Sequence, residues 1–174
     1  MPERVGILFT DLVEFSAWAL EVGDEKSFEL LRSVDAVVTV CVQARGGEIV
    51  KRLGDGMMAV FDDPAEAVAA AEEAIRATDA LQVGGYRPGM RAGVHLGRPR
   101  AIGPDYIGID VNVAARLCEA AERGEILASE RIRDELDGAG RRFVCVDGRP
   151  LRGVPSDLRL YRGSPRRTVG RSGR

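Results

Sequence analysis

The sequence contains a single histidine, His95, and only two lysines, Lys26 and Lys51, against 23 arginines. One imidazole excludes a histidine-rich metal centre and leaves Ser-His-Asp chemistry only to His95 itself. Cys41, Cys118 and Cys145 are few, widely spaced and odd in number. That excludes a disulfide scaffold or a closely spaced zinc site and points to reduced thiols in a cytoplasmic setting. No apolar run approaches the ~20 residues of a bilayer span, and the first residues lack the basic-then-apolar pattern of a secretory signal. The net charge of -2 gives no overall attraction to nucleic acid or to an anionic membrane. Neither is therefore expected as a partner. The scarcity of lysine also makes Lys51 a departure from the habit of the chain.

What is present is an ordinary globular pattern in 174 residues, enough for one domain with one core. Val5 to Phe9 is a short apolar run closed by Thr10 and Asp11, and reads as a buried strand. From Asp24 to Arg45, apolar residues at Phe28, Leu31, Val34, Val38 and Cys41 recur at steps of three and four, predicting a long amphipathic helix that ends at Gly46-Gly47. Glu48–Leu53 and Met57–Phe61 form a hairpin about the turn Gly54-Asp55-Gly56. Asp63-Pro64 opens a second helix running to about Leu81. Met90–Leu96 is a strand, 97–105 is irregular, and Ile109–Glu122 is a third helix. A strand at Glu125–Ala128, a short helix capped by Ser129, and strands at Phe143–Val146 and Leu158–Tyr161 complete the pattern. The expected domain covers 1–163. It begins almost at its first strand, leaving no room within this sequence for a preceding sensor domain, as expected of either a free-standing or an excised domain, and 164–174 is expected to be a flexible, solvated, Arg-rich tail.

The order strand-helix-strand-strand-helix-strand is that of a ferredoxin-like α+β core, here with additional C-terminal strands and a helix. In that topology the first strand lies antiparallel beside the third. The end of one, at Asp11, then meets the start of the other, just after Asp55. Two carboxylates at one sheet edge suit hard cations such as magnesium, which takes one or two carboxylates and fills its sphere with phosphate and water oxygens. Flanking glycines would let a polyphosphate approach the backbone. The plainer reading is also open, since Asp in a Gly-Asp-Gly turn is common in hairpins. Likewise Lys51 is either a functional cation or a solvated strand-edge charge. Asn112 and Arg116, spaced i, i+4, share one helix face as a functional pair or as an exposed polar stripe. His95 and Trp18 are assigned to packing.

Four segments, in order and over nearly the whole chain, resemble those of class III adenylyl and guanylyl cyclases. FTDLVEFS at 9–16 and KRLGDGMMAVF at 51–61 are similar to the two metal-binding signatures. DYIGIDVNVAARL at 105–117 is similar to the transition-state segment, and LRGVPSDLRLY at 151–161 to the closing strand with its phosphate-binding base. The resemblance implies a wreath-shaped head-to-tail homodimer with two active sites in its interface. Asp11, Asp55 and the Leu12 carbonyl would hold two divalent cations, Mg2+ or Mn2+. Lys51 and Asp105 would read the adenine of ATP, while Asn112 and Arg116 would orient the ribose and stabilise the transition state. Arg152 stands where the family usually has a lysine; the charge is kept and the donor geometry changes.

The residue chemistry agrees with an adenine reader. A lysine donates to adenine N1 and an aspartate accepts from the exocyclic amine, whereas guanine presents the opposite pattern at both atoms. A guanylyl cyclase would favour Glu at 51 and a small residue at 105. A non-catalytic cyclase-like module would have lost a metal aspartate, Asn112 or Arg116. A cyclic-dinucleotide synthase would carry a GG(D/E)EF turn. None of these features is present.

Overall fold

The computed structural model describes residues 4–164. In chain order the elements are β1 (Val5–Val13), α1 (Phe15–Val22), α2 (Asp24–Ala44), β2 (Glu48–Leu53), β3 (Gly56–Phe61), α3 (Pro64–Asp79) and β4 (Gly89–Gly97). There follow β5 (Arg100–Ile102), β6 (Asp105–Ile107), α4 (Ile109–Ala120), β7 (Ile126–Ser129), α5 (Glu130–Glu135), β8 (Arg142–Val146) and β9 (Leu160–Ser164). Seven strands form one sheet in the order β2-β3-β1-β4-β7-β9-β8. Its first four strands are the expected ferredoxin-like core, with β1 antiparallel to both β3 and β4. The additional strands extend it beyond β4, through a parallel β4–β7 pair.

Each face of the sheet is covered. On one, Leu8, Leu12, Met57, Ala59 and Phe61 pack with α2 and α3. On the other, Ile7, Phe9, Met58 and Val60 pack with Val111, Ala114 and Cys118 of α4. The alternation along β1 follows from the two-residue period of a strand. α3 starts at Pro64 with Asp63 as its cap, whose Oδ1 accepts from the Ala65 amide at 2.8 Å. Its buried Ala67, Ala70, Ala71 and Ala74 present almost no side chain, so the helix lies close to its neighbours.

The structure differs from the sequence reading in several places. β1 runs on through Asp11 to Val13, and the helix α1 precedes the long α2. The core stripe of α2 is Leu30, Val34, Val38 and Val42, while Phe28 is 63% exposed. The i, i+4 row wins because four successive turns then face the sheet, where each such side chain gains about 1.5–3 kcal/mol on burial. The segment 97–105 is not wholly irregular: most of it belongs to the short β5–β6 hairpin. The last strand begins at Leu160 rather than Leu158 and includes Ser164; the remainder of the expected tail lies outside the described residues. Trp18 does pack, stacked on Tyr86 with centroids 4.4 Å apart.

Candidate active site

Asp11 and Asp55 come together through strand register. Thr10 pairs with Met57, which sets Asp11 beside Gly56 at the mouth of the hairpin. Gly54 turns the chain at φ +66°. A Cβ on Gly56 would lie 2.4 Å from the Thr10 carbonyl oxygen, so this glycine is required by the protein's own backbone and not only by an incoming phosphate. The carboxyl of Asp55 is pushed up to about 6, first by loss of water, then by the negative charge of Asp11 and a hydrogen bond shared with it.

Arg91 is the residue that sequence reasoning missed. It faces Asp11 across β1 and β4. Its Nη2 and Nε lie 2.7 and 3.2 Å from Asp11 Oδ2, and its Nη1 donates to the Glu119 carbonyl at 2.7 Å. The signal was visible as one arginine in the apolar run Met90–Leu96. Leu12 is buried with its side chain in the core, so only its backbone is available to a ligand. Among the described residues no cluster of three or more His, Cys, Asp or Glu gathers around one point. A pair of carboxylates crowded enough to raise one pKa does fit a divalent cation, which relieves their repulsion and takes its other oxygens from phosphate and water. A groove of about 500 Å³ between α2 and the β2–β3 hairpin opens on Asp55, lined also by Thr10, Leu31, Asp35 and Arg52.

Lys51 and Asp105, 54 residues apart, are brought into contact. Lys51 Nζ lies 2.9 Å from both carboxylate oxygens, and the Tyr106 amide donates to Asp105 Oδ1 at 2.7 Å. The ammonium, followed by that amide, holds the Asp105 carboxyl below its ordinary range. The β5–β6 hairpin is what delivers Asp105 to β2. Lys51 pairs with Met58, Met58 with Phe9, and Phe9 with Gly93. These four positions form one transverse row, two residues along β1 from Asp11.

Asn112 and Arg116 are both exposed on α4. Arg116 Nη1 lies 2.6 Å from Glu119 Oε2, an exposed i, i+3 pair of the kind that contributes little and is readily exchanged. The inner stripe of α4 is Asp110, Ala114 and Cys118, so Asn112 and Arg116 point away from the sheet that carries Asp11. Arg152 is exposed in the loop between β8 and β9. The structure thus joins Asp11 to Asp55 and Lys51 to Asp105, and sets Asn112 with Arg116 on one outer face.

The family model for the adenylate and guanylate cyclase catalytic domain matches residues 2–162. The chain belongs to this family. An uncharacterized protein of Mycobacterium tuberculosis strain H37Rv is 40% identical over 136 residues, covering 75% of this chain and 34% of its own length. An adenylate cyclase of Streptomyces coelicolor is 31% identical over 133 residues, covering 76% of this chain and 34% of its own. The chain therefore spans about a third of these curated relatives. Among solved structures, the guanylate cyclase domain of RhGC from Catenaria anguillulae, in complex with GTP, superposes with a TM-score of 0.85 at 19% identity, covering 95% of this chain and 98% of that one. At that identity the likeness establishes the cyclase fold. Among the described residues no helix is long and apolar enough to cross a membrane.

Proposed function

We propose that this cyclase domain converts ATP to 3′,5′-cyclic AMP and pyrophosphate, with two divalent cations, Mg2+ or Mn2+, at each of two sites shared by a head-to-tail homodimer. The observation that carries the choice of ATP is the Lys51–Asp105 contact, which pairs a donor and an acceptor suited to the N1 and 6-amino group of adenine. Guanine would offer N1–H to the lysine and a carbonyl to the aspartate, two like-polarity encounters.

Asp11 and Asp55 hold the cations, whose chemistry is to activate the ribose 3′-oxygen and neutralise the departing pyrophosphate. Arg91, half-buried beside Asp11, partly neutralises the carboxylate pair, and its guanidinium can turn toward a polyphosphate. Asn112 orients the ribose so that the 3′-oxygen faces the α-phosphorus. Arg116 leaves Glu119 for the charge that develops on the α-phosphoryl oxygens. Such a preorganised donor lowers a barrier by about 3–4 kcal/mol. Arg152 holds the outer phosphates with a planar fork in place of a lysine point charge.

Two features support a shared site. The outward direction of Asn112 and Arg116 turns them from the Asp11–Asp55 pair of their own protomer, so a second protomer is needed to bring both sets onto one nucleotide. In addition, Ile102, Ile107 and Ile109, clustered on the β5–β6 hairpin and the start of α4, are 53%, 46% and 63% exposed. An apolar cluster of that kind marks a surface that another chain covers.

The base-reading pair is tested by the double substitution Lys51→Glu, Asp105→Gly. Two charge-assisted hydrogen bonds to adenine are lost, so kcat/KM for ATP is expected to fall by at least about 100-fold. A smaller gain is expected on GTP, because pocket shape also discriminates. Steady-state kinetics on both nucleotides measures the two changes; unchanged preference for ATP would remove Lys51 and Asp105 from base recognition.

A further inference from the structure

We propose that Asp110 is a positioning residue, which fixes where α4 presents Asn112 and Arg116. This inference rests on the proposed catalytic role of those two side chains. Asp110 lies in the first turn of α4, whose N-cap, Gly108, has no side chain to anchor the helix. The Asp110 carboxylate performs that task through three elements. Its Oδ2 accepts from the Arg98 backbone amide at 2.8 Å, just past the end of β4. Its Oδ1 accepts from His95 Nε2 at 2.9 Å and from Arg131 Nη1 of α5 at 3.3 Å. His95 is itself 2% exposed, and its Nδ1 lies 2.7 Å from the Oγ of the fully buried Ser129 at the end of β7. A carboxylate only accepts, so His95 carries its proton on Nε2, and Nδ1 accepts from the Ser129 hydroxyl. Burial pulls the His95 pKa down, in keeping with a neutral ring.

The backbone of β4 shows that the helix has one seat. A Cβ on Gly97 would fall 2.4 Å from the Asp110 Cβ and Cγ. A Cβ on Gly93 would fall 2.3 Å from the Cys118 nitrogen and 2.5 Å from the Ala114 carbonyl oxygen. Gly93 and Gly97 lie four residues apart on one face of β4, and Asp110, Ala114 and Cys118 lie four apart on the stripe of α4 that meets them. Strand and helix therefore touch backbone to backbone at Gly93, while at Gly97 the strand meets the Asp110 side chain itself, whose carboxylate ties down the start of the helix. Asn112 and Arg116 are on the opposite side of the same two turns. A shift or rotation of the helix start moves both donors away from the nucleotide without breaking a contact of their own. The lock is thus a Ser129–His95–Asp110 relay used for placement: its hydroxyl is fully buried and meets no substrate.

The test compares Asp110→Ala, Asp110→Asn and Ser129→Ala with wild type and with an Arg116→Ala control. The readouts are kcat, the affinity for a non-cyclising ATP analogue, and amide hydrogen exchange followed along the chain. Asp110→Ala is expected to lower kcat by about 100-fold, as a misplacement on the order of 1 Å does, with analogue affinity within about threefold. Faster exchange should be concentrated in 109–116. Asp110→Asn keeps one acceptor for His95 and should recover part of kcat. Ser129→Ala, which removes one hydroxyl remote from the nucleotide, is expected to fold and to show a smaller loss of the same kind; it decides the matter if Asp110→Ala does not fold. Unchanged kcat in Asp110→Ala or Ser129→Ala, or faster exchange spread evenly over the chain, overturns the positioning role. Full activity in Arg116→Ala overturns the catalytic reading beneath it instead, a separate outcome in the same experiment.

Discussion

Asp55→Ala and Asp11→Ala are each expected to lower cyclic AMP formation by at least about 1,000-fold, because the loss removes a cation and the charge stabilisation that depends on it. The fold should survive. Asp55 is half-buried in a hairpin turn and its carboxyl is raised to about 6 by desolvation and by Asp11. A carboxyl raised above its unfolded value favours the folded state at low pH, and that advantage fades as pH rises through about 4 to 6. At neutral pH the wild-type, cation-free protein therefore carries an unfavourable charge that Asp55→Ala deletes. The melting temperature of the variant at pH 7 to 8 should match or exceed that of wild type without added metal, and only wild type should gain from Mg2+ or Mn2+. Calorimetry with and without cation, beside the activity assay, checks both halves. Wild-type turnover in either variant would exclude the carboxylate pair from the chemistry. Asp11→Ala differs in one respect: it also frees Arg91, whose guanidinium then loses its carboxylate partner at 2.7 Å. Some loss of stability is expected there.

Mixing two inactive variants should restore activity. Lys51 and Asp55 lie four residues apart on one hairpin, the first on β2 and the second in its turn. In the proposed dimer they nonetheless serve different sites, with Asp11 and Asp55 of one protomer facing Lys51, Asp105, Asn112, Arg116 and Arg152 of the other. A two-fold axis makes this arrangement occur twice. In a dimer of Asp55→Ala with Arg116→Ala, one site collects both lesions and the other is intact. Random pairing of equal amounts makes half of the dimers mixed, each with one working site of two, so roughly a quarter of wild-type activity should return. Dilution below the dimer affinity should abolish it again. If nothing returns while exchange of protomers is demonstrated, the residues do not complement across an interface.

The parts of this site that were legible in the sequence are those set by local geometry or by strand order. Asp55 sits in a two-glycine turn, and Asp11 follows an apolar run near the end of β1; a ferredoxin-like order then suffices to join them. The Lys51–Asp105 pair was indicated only by resemblance, since the three-residue strands that carry Asp105 to β2 are too short to show periodicity. Arg91 stands out locally only as a charge in an apolar run; its role is set by Asp11, which lies across the sheet. α2 offers two overlapping apolar rows, Phe28–Leu31–Val34 and Leu30–Val34–Val38–Val42, and only the position of the sheet selects between them, leaving Phe28 outside the core. Asp110 has no signal of its own: its partners His95, Arg98 and Arg131 are scattered along the chain and meet only once α4 has settled on the glycines of β4.

The most direct test of the whole account is the product formed by the unmodified protein. Incubated with ATP and either Mg2+ or Mn2+, and analysed by chromatography, it should yield cyclic AMP and pyrophosphate in equal amounts. With GTP under the same conditions, cyclic GMP should be lower by at least about 100-fold in kcat/KM, as expected for a site whose polar groups are left mispaired. Cyclic GMP as the favoured product, a linear or cyclic dinucleotide, or nucleotide binding without any turnover would each contradict it.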